Sequence, residues 1–255
     1  MQWIYLSPHL DDVALSCGGL IWEQARSGLP VSIWTICAGD PPDRPLSLFA
    51  QELHSRWGTG FQASQLRRQE DVRACGILSA SYSHFTLPDC VYRYHPDSEQ
   101  ALYPTRQAIF GPLHPAESAL VEDLSAELSR RLSPDARLVC PLTLGGHVDH
   151  QLTRVAAERL AIPLWYYADF PYAQEAQTEL VALERAGWER SLYPISPAGM
   201  QAWGAAVAAH ASQISTFWPD LEAMRAALQA YCGRSGGIPL WQPMPETGKK
   251  ALEVG

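Results

Sequence analysis

Positive charge, membrane-length apolar runs and paired cysteines are all scarce in this 255-residue chain, and each scarcity excludes something. Lys and Arg number 19 against 27 Asp and Glu, a net charge of −8, which argues against a nucleic-acid backbone or an anionic membrane surface as the main partner. No apolar run approaches the roughly 18–20 residues a bilayer span requires. The opening Met1-Gln2-Trp3-Ile4-Tyr5-Leu6 has no basic region of the kind a secretory leader carries and reads as a strand. The six cysteines, at 17, 37, 75, 90, 140 and 232, form no CxxC pair and mostly sit in apolar stretches. They read as reduced, buried thiols of a cytoplasmic protein, not as a disulfide framework. With no internal repeat or low-complexity tract, and 47% hydrophobic residues, the chain is long enough to bury a sizeable core.

What is present alternates: short apolar runs are followed by helical patterns, the signature of an α/β protein with a parallel sheet. Strands are expected over 2–7, 31–37, 81–87, 137–140 and 162–167, with a further one near 190–194. Helices are expected over 11–27, 62–79, 117–132, 149–160, 197–211 and 219–231. In the 62–79 helix, Leu66, Val72, Ile77 and Leu78 are the candidate inward positions. A Pro-rich stretch from Asp40 to Pro45 opens one long loop. Residues 89–116, rich in Pro, Tyr and His and lacking periodicity, form another of the kind that covers a binding site. One domain is expected over 1–245, with 246–255 as a tail.

Ligands of doubly wound sheets gather beyond the carboxyl ends of strands, and two such ends carry unusual polar clusters. Ser7-Pro8-His9-Leu10-Asp11-Asp12 follows the first strand, and Gly145-Gly146-His147-Val148-Asp149-His150 follows the strand ending at Cys140. In a sheet ordered 3-2-1-4-5 these strands are neighbours, so the two clusters face each other. A catalytic zinc takes three ligands from His and carboxylate and keeps one position for water. His9 and Asp12, three apart at a strand-to-helix junction, can turn toward one point, and a histidine of the second cluster would complete the set. Each cluster also has an ordinary explanation: the aspartates as helix caps, the histidines as polar loop residues. Gly18-Gly19 lies too far past the first strand to be a nucleotide-binding turn, and no GxGxxG follows; close helix packing is its expected role. His95-Pro96-Asp97 imitates a ligand motif, but no strand leads into it and it reads as loop.

The paired clusters resemble those of the PIG-L/LmbE-like family of zinc-dependent N-deacetylases, whose motifs are His-Pro-Asp-Asp-Glu and His-Pro-Asp-His. Weaker similarities follow in Arg67-Arg68-Gln69-Glu70, in Leu87-Pro88-Asp89 and in His210-Ala211-Ser212-Gln213, so that the likeness extends to about residue 215. Leu10, Val13 and Val148 depart from the family pattern without removing a ligand; the missing glutamate at 13 bears on the outer support of the ligands, worth about 10–100-fold. The resemblance implies a Rossmann-like three-layer sandwich with a mostly parallel sheet. It implies zinc on His9, Asp12 and His150, although iron(II) suits the same ligands. It further implies Asp11 as general base, His147 as a protonated electrophile and general acid, Asp149 as the residue orienting His147, and Arg67 and Asp89 as sugar contacts.

The implied activity is removal of the N-acetyl group from an N-acetylglucosamine-type sugar or conjugate. An amidase acting on a thiol conjugate or a longer N-acyl chain would need a deeper apolar channel. A metal- or sugar-binding protein without turnover would have no use for Asp11 beside a water. The aromatics Trp57, Tyr92, Tyr94 and Tyr103 fall in presumed rim loops, where they either stack on sugars or simply pack. The oligomeric state is not legible.

Overall fold

A computed structural model describes residues 1–57 and 63–244. The tail expected over 246–255 and the side chain of Trp57 lie outside what is described. The strands are β1 (Gln2–Ser7), β2 (Val31–Thr35), β3 (Ser81–His84), β4 (Ala136–Pro141), β5 (Leu164–Tyr167), β6 (Trp188–Tyr193) and β7 (Ile238–Pro243). The helices are α1 (Asp12–Arg26), α2 (Leu48–Trp57), α3 (Ala63–Ile77), α4 (Arg106–Ile109), α5 (Ser118–Arg131), α6 (Val148–Glu158), α7 (Gln177–Arg185), α8 (Pro197–Ala209), α9 (Ala211–Phe217) and α10 (Leu221–Ser235).

These strands form one sheet in the order β3-β2-β1-β4-β5-β7-β6. The first five are parallel, in the expected 3-2-1-4-5 order, while β7 runs antiparallel to both β5 and β6. The chain steps one way across the sheet from β1 to β3 and the other way from β4 to β5. Right-handed crossovers then put α1 and α3 on one face and α5 and α6 on the other. Helix α8 packs on α1 and α3, and α5 packs on α6. The reversal falls between β1 and β4, whose carboxyl ends therefore share a crevice. No described helix is long and apolar enough to cross a membrane. None of the six cysteines is in a disulfide, and five are buried.

Five elements were not anticipated, among them the short α4 inside the expected loop 89–116 and α9 just past the expected 197–211 helix. Strand β7 contains Pro239 and Pro243, residues that argue against an interior strand. Helix α2 follows a proline cluster, and α7 buries no residue at all, so neither has a clean apolar stripe. The face of α3 also differs from expectation. Leu66 and Ile77 are solvent-exposed and Val72 is half-buried; Leu78, just past the helix, is buried as expected, and the buried face of α3 otherwise carries Glu70, Asp71, Ala74 and Cys75. Carboxylates turn inward because they have partners there: Asp71 bonds His84, and Glu70 accepts from the backbone N–H and hydroxyl of Ser212.

The glycine pair in α1 serves close packing. A Cβ on Gly18 would stand 2.5 Å from Cδ1 of Trp203, whose ring lies across the helix and donates its N–H to the Ala14 carbonyl at 2.8 Å. Alanine is favoured over glycine in a helix by up to about 1 kcal/mol, but overpacking against an immobile ring costs about 1–3 kcal/mol. Gly18→Ala is therefore expected to lower the unfolding free energy, read as a lower urea midpoint at unchanged slope.

Candidate metal centre and active site

At the end of β1, the Ser7 hydroxyl donates to the His9 carbonyl at 2.6 Å and accepts from the Val13 N–H at 3.2 Å, pinning the turn into α1. Inside that turn Asp12 Oδ2 accepts the backbone N–H of His9 at 2.7 Å, which folds the carboxylate back over the strand end. The same oxygen lies 3.1 Å from His9 Nδ1 and 3.3 Å from His150 Nε2. Two donors on one tetrahedral ion with bonds of about 2.0–2.1 Å stand about 3.3–3.4 Å apart. Each histidine nitrogen thus stands from this oxygen at close to the separation of two ligands on one ion.

The opposite ring nitrogens are also held. His9 Nε2 bonds Asp149 Oδ2 at 2.9 Å, and His150 Nδ1 bonds Asp169 Oδ1 at 2.6 Å. Metal-binding histidines characteristically pass their second N–H to a carboxylate, which fixes tautomer and ring orientation. The set fits a divalent ion. His147 also brings a ring nitrogen within 4.8 Å of those of His9 and His150. Asp12 Oδ2 touches both histidines, so Asp12 and His147 are the two side chains in reach of the pair. Burial pulls the His150 pKa down, but Asp12 and Asp169 outweigh it and raise it to about 10. Burial pushes Asp12 up, yet His150 and His9 hold it well below the usual carboxylate range. The two groups attract strongly before any ion arrives.

Asp11 stands at the N-cap of α1 yet makes no capping bond with its side chain. Its carboxyl is buried, lies 3.7 Å from Arg67 Nη2 and faces the cavity. Burial and then the charge of Asp12 raise its pKa, against the pull of Arg67. A buried carboxylate made more basic in this way is suited to accept a proton.

His147 caps α6, its Nδ1 accepting the Asp149 backbone N–H at 3.2 Å. The approach to it runs through Gly145 at φ +84°, where a Cβ would meet the Tyr172 ring at 2.7 Å. Because Nδ1 is an acceptor, the neutral ring carries its proton on Nε2. Burial and then the neighbouring His9 push its pKa down to about 3. Both causes act against the protonated form that the resemblance implies, and a neutral imidazole with this tautomer is a hydrogen-bond donor through Nε2.

Asp149 holds His147 through its backbone N–H, and its charge raises the His147 pKa against burial, while its carboxylate bonds His9 and its Oδ2 also accepts the Cys90 N–H at 3.0 Å. Its other oxygen pairs with Arg93 Nη1 at 2.5 Å. The buried Arg93 also donates to Glu117, which in turn accepts from the Tyr103 hydroxyl. Removing either carboxylate behind the histidines should show in metal affinity. Asp149→Asn and Asp169→Asn are each expected to weaken divalent-ion binding about 10–100-fold, measured by competition with a chromophoric chelator.

A cavity of about 580 Å³ opens over this centre, and Arg67 and Asp89 both line it. Asp89 uses one oxygen to cap a short turn through the Val91 N–H, while the other is 3.8 Å from His9 Nε2. Gln213, from the late Ser-Gln element, reaches the same cavity. Of the suggested rim aromatics, Tyr92 and Tyr103 are buried and bonded to His54 and Glu117, and Tyr94 donates to the Pro45 carbonyl. The aromatic rings that do line the cavity are Phe49, Phe110, Tyr172 and Phe217. His95 lies outside the cavity lining, in a turn. Sequence reasoning missed Asp169, Arg93 and Glu117. Asp169 follows the carboxyl end of β5, the same signal that marked the first two clusters, whereas nothing in the sequence marks Arg93 and Glu117.

Residues 4–161 match the sequence profile of the PIG-L family, described as GlcNAc-PI de-N-acetylase. The chain belongs to this family. It is 29% identical over 202 residues to the 2'-N-acetylparomamine deacetylase of Streptomyces fradiae, a match covering 76% of this chain and 65% of that protein's length. The enzyme of the same description from Niallia circulans is 29% identical over 192 residues, covering 68% of each. Among solved structures, the zinc-inhibited form of teicoplanin deacetylase Orf2 superposes with a TM-score of 0.78 at 23% identity, covering 95% of this chain and 97% of the other.

Proposed function

We propose that this protein is a zinc-dependent hydrolase that removes the acetyl group from the nitrogen of an amino sugar or amino-sugar conjugate. The observation that carries the reading is the meeting of Asp12 Oδ2 with His9 Nδ1 and His150 Nε2 beside an uncapped, buried Asp11. The deacetylase descriptions of the relatives support it. The unpaired thiols support a reducing compartment, and we assign the protein to the cytoplasm on that ground.

Zinc on His9, Asp12 and His150 would polarise the acyl oxygen and acidify water, two effects an amide needs because it is a poor electrophile. Asp11 accepts a proton from the water as its oxygen attacks the acyl carbon. His147 donates its Nε2 hydrogen bond to the acyl oxygen as negative charge gathers there. When the C–N bond breaks, the sugar nitrogen must leave as a neutral amine. Asp11, now carrying the water's proton, returns it to that nitrogen, and a neutral His147 has no second proton to give. Acetate and the free amino sugar result. Arg67, close to Asp11, keeps the carboxyl oriented between these two transfers.

The test is metal analysis of the purified protein with an acetate-release screen over N-acetylated amino sugars. One zinc per chain and release from at least one sugar are expected; bound zinc with no release from any would reduce the protein to a binding module. His147→Ala is expected to keep its zinc and lose about 10²–10³-fold in kcat, the usual effect of removing one oxyanion donor. Unchanged kcat would remove His147 from the mechanism.

A further inference from the structure

His210, at the joint between α8 and α9, is 1% exposed, and both of its ring nitrogens are buried. Neither makes a hydrogen bond with a described residue. Leaving two polar atoms of one ring buried and unbonded costs stability, and such an orphan calls for a reason. The histidines around the metal centre are all bonded: His9 to Asp12 and Asp149, His147 to the Asp149 N–H, His150 to Asp169.

The packing of α8 fixes where this ring stands. At the start of α8 the Ser196 N–H donates to Glu23 Oε1 at 2.8 Å, near the end of α1. Further along, the Trp203 ring N–H donates to the Ala14 carbonyl at 2.8 Å, near the start of α1. The two helices therefore run antiparallel. At 1.5 Å per residue, Ser196 to His210 is about 21 Å of helix and Glu23 back to Asp11 about 18 Å. His210 is thereby brought level with Asp11. Just beyond it, Ser212 is tied by its N–H and hydroxyl to Glu70 of α3. Glu70 is one turn from Arg67, which lies 3.7 Å from Asp11. After burial, Asp12 and Arg67, His210 is the next group acting on the Asp11 carboxyl, ahead of His9. The ring itself lies outside the cavity lining, so any effect on the reaction passes through Asp11.

We propose that His210 is a positioning residue for the base: a ring N–H gives Asp11 a hydrogen bond as the carboxyl turns between the water and the sugar nitrogen. The inference rests on the deacetylase reading. Between those transfers Asp11 is a neutral acid and its attraction to Arg67 weakens, so a second holder is needed. An imidazole carries at least one N–H in either protonation state, and the donor is therefore always present. In the resting protein the carboxyl stands by Arg67 and the ring is unbonded, as a part-time holder requires. A residue that only filled this space would lose nothing as phenylalanine.

The test begins with His210→Phe, which fills the space without nitrogen. Its urea midpoint is expected to equal or exceed that of the unmodified protein, since two unbonded polar atoms are gone. Zinc should stay at one per chain, while kcat for acetate release falls about 10–100-fold at little changed KM. His210→Gln and His210→Asn return an amide N–H near the places of Nε2 and Nδ1, and at least one should recover kcat several-fold. Histidine-selective 15N NMR of the zinc-loaded protein gives a readout free of turnover. The His210 ring signals, identified by their loss in His210→Phe, should move in Asp11→Asn. Undiminished kcat in His210→Phe would overturn the proposal. So would a loss of kcat that all three variants share equally together with a lowered urea midpoint, which marks packing. Ring signals indifferent to Asp11→Asn would overturn it as well. If they move but the unmodified protein releases acetate from no sugar, His210 still stands at Asp11 and the deacetylase reading falls.

Discussion

Asp11→Asn is expected to bind zinc with the stoichiometry of the unmodified protein and to lose about 10²–10⁴-fold in kcat, the range removed with a general acid–base group. Asp11 faces Arg67 and the cavity and leaves the helix end uncapped. A residue at a helix N-cap ordinarily gives its side-chain oxygen to a backbone N–H one turn on, and Asp11 does not. Its carboxyl is buried beside a second carboxylate, an arrangement that costs stability unless something uses it. Replacing the carboxylate with an amide keeps the shape and removes the proton acceptor. Asp11→Asn should therefore be at least as stable to urea as the unmodified protein while turnover collapses. Near-normal kcat with zinc bound would falsify the assignment of the base.

The second large effect concerns the ion. His150→Ala removes a ligand and also leaves Asp169 buried without the ring that satisfies it. His9→Ala removes the ring that joins Asp12 to Asp149. Both variants are expected to be isolated with far less than one zinc per chain and with no measurable acetate release, whereas Asp11→Asn and His147→Ala keep theirs. The contrast separates the residues that hold the ion from those that use it. A His150→Ala protein that retained stoichiometric zinc would move the third ligand to His147, the other imidazole in reach.

Much of this arrangement was legible because the chemistry sits where chain direction and strand order put it. Polar residues crowded at the ends of two apolar runs are conspicuous, and the parallel order places those ends side by side. What was illegible depends on partners distant in sequence. The inward face of α3 could not be recognised by periodicity, since its buried positions include Glu70 and Asp71 and its apolar Leu66 and Ile77 face solvent. Asp149 was read from its neighbour in the chain, His147, but its side chain crosses to His9, 140 residues away. Local spacing finds the groups that surround a point and cannot say which of them touch. Strand β7 escaped for a related reason: its prolines contradict a strand until the antiparallel partners on both sides are known.

The link from Asp149 through Arg93 and Glu117 to Tyr103 has an engineering consequence. It nails both ends of the long covering loop to the metal-supporting carboxylate, while the stretch between those nails supplies Pro104 to Phe110 to the cavity mouth. The loop behaves as a cassette in a frame. Exchanging its middle to retarget the protein should leave the ion in place, provided Arg93, Tyr103 and Glu117 travel with the graft; a graft that drops them would loosen the catalytic core from a distance and masquerade as a failed change of specificity.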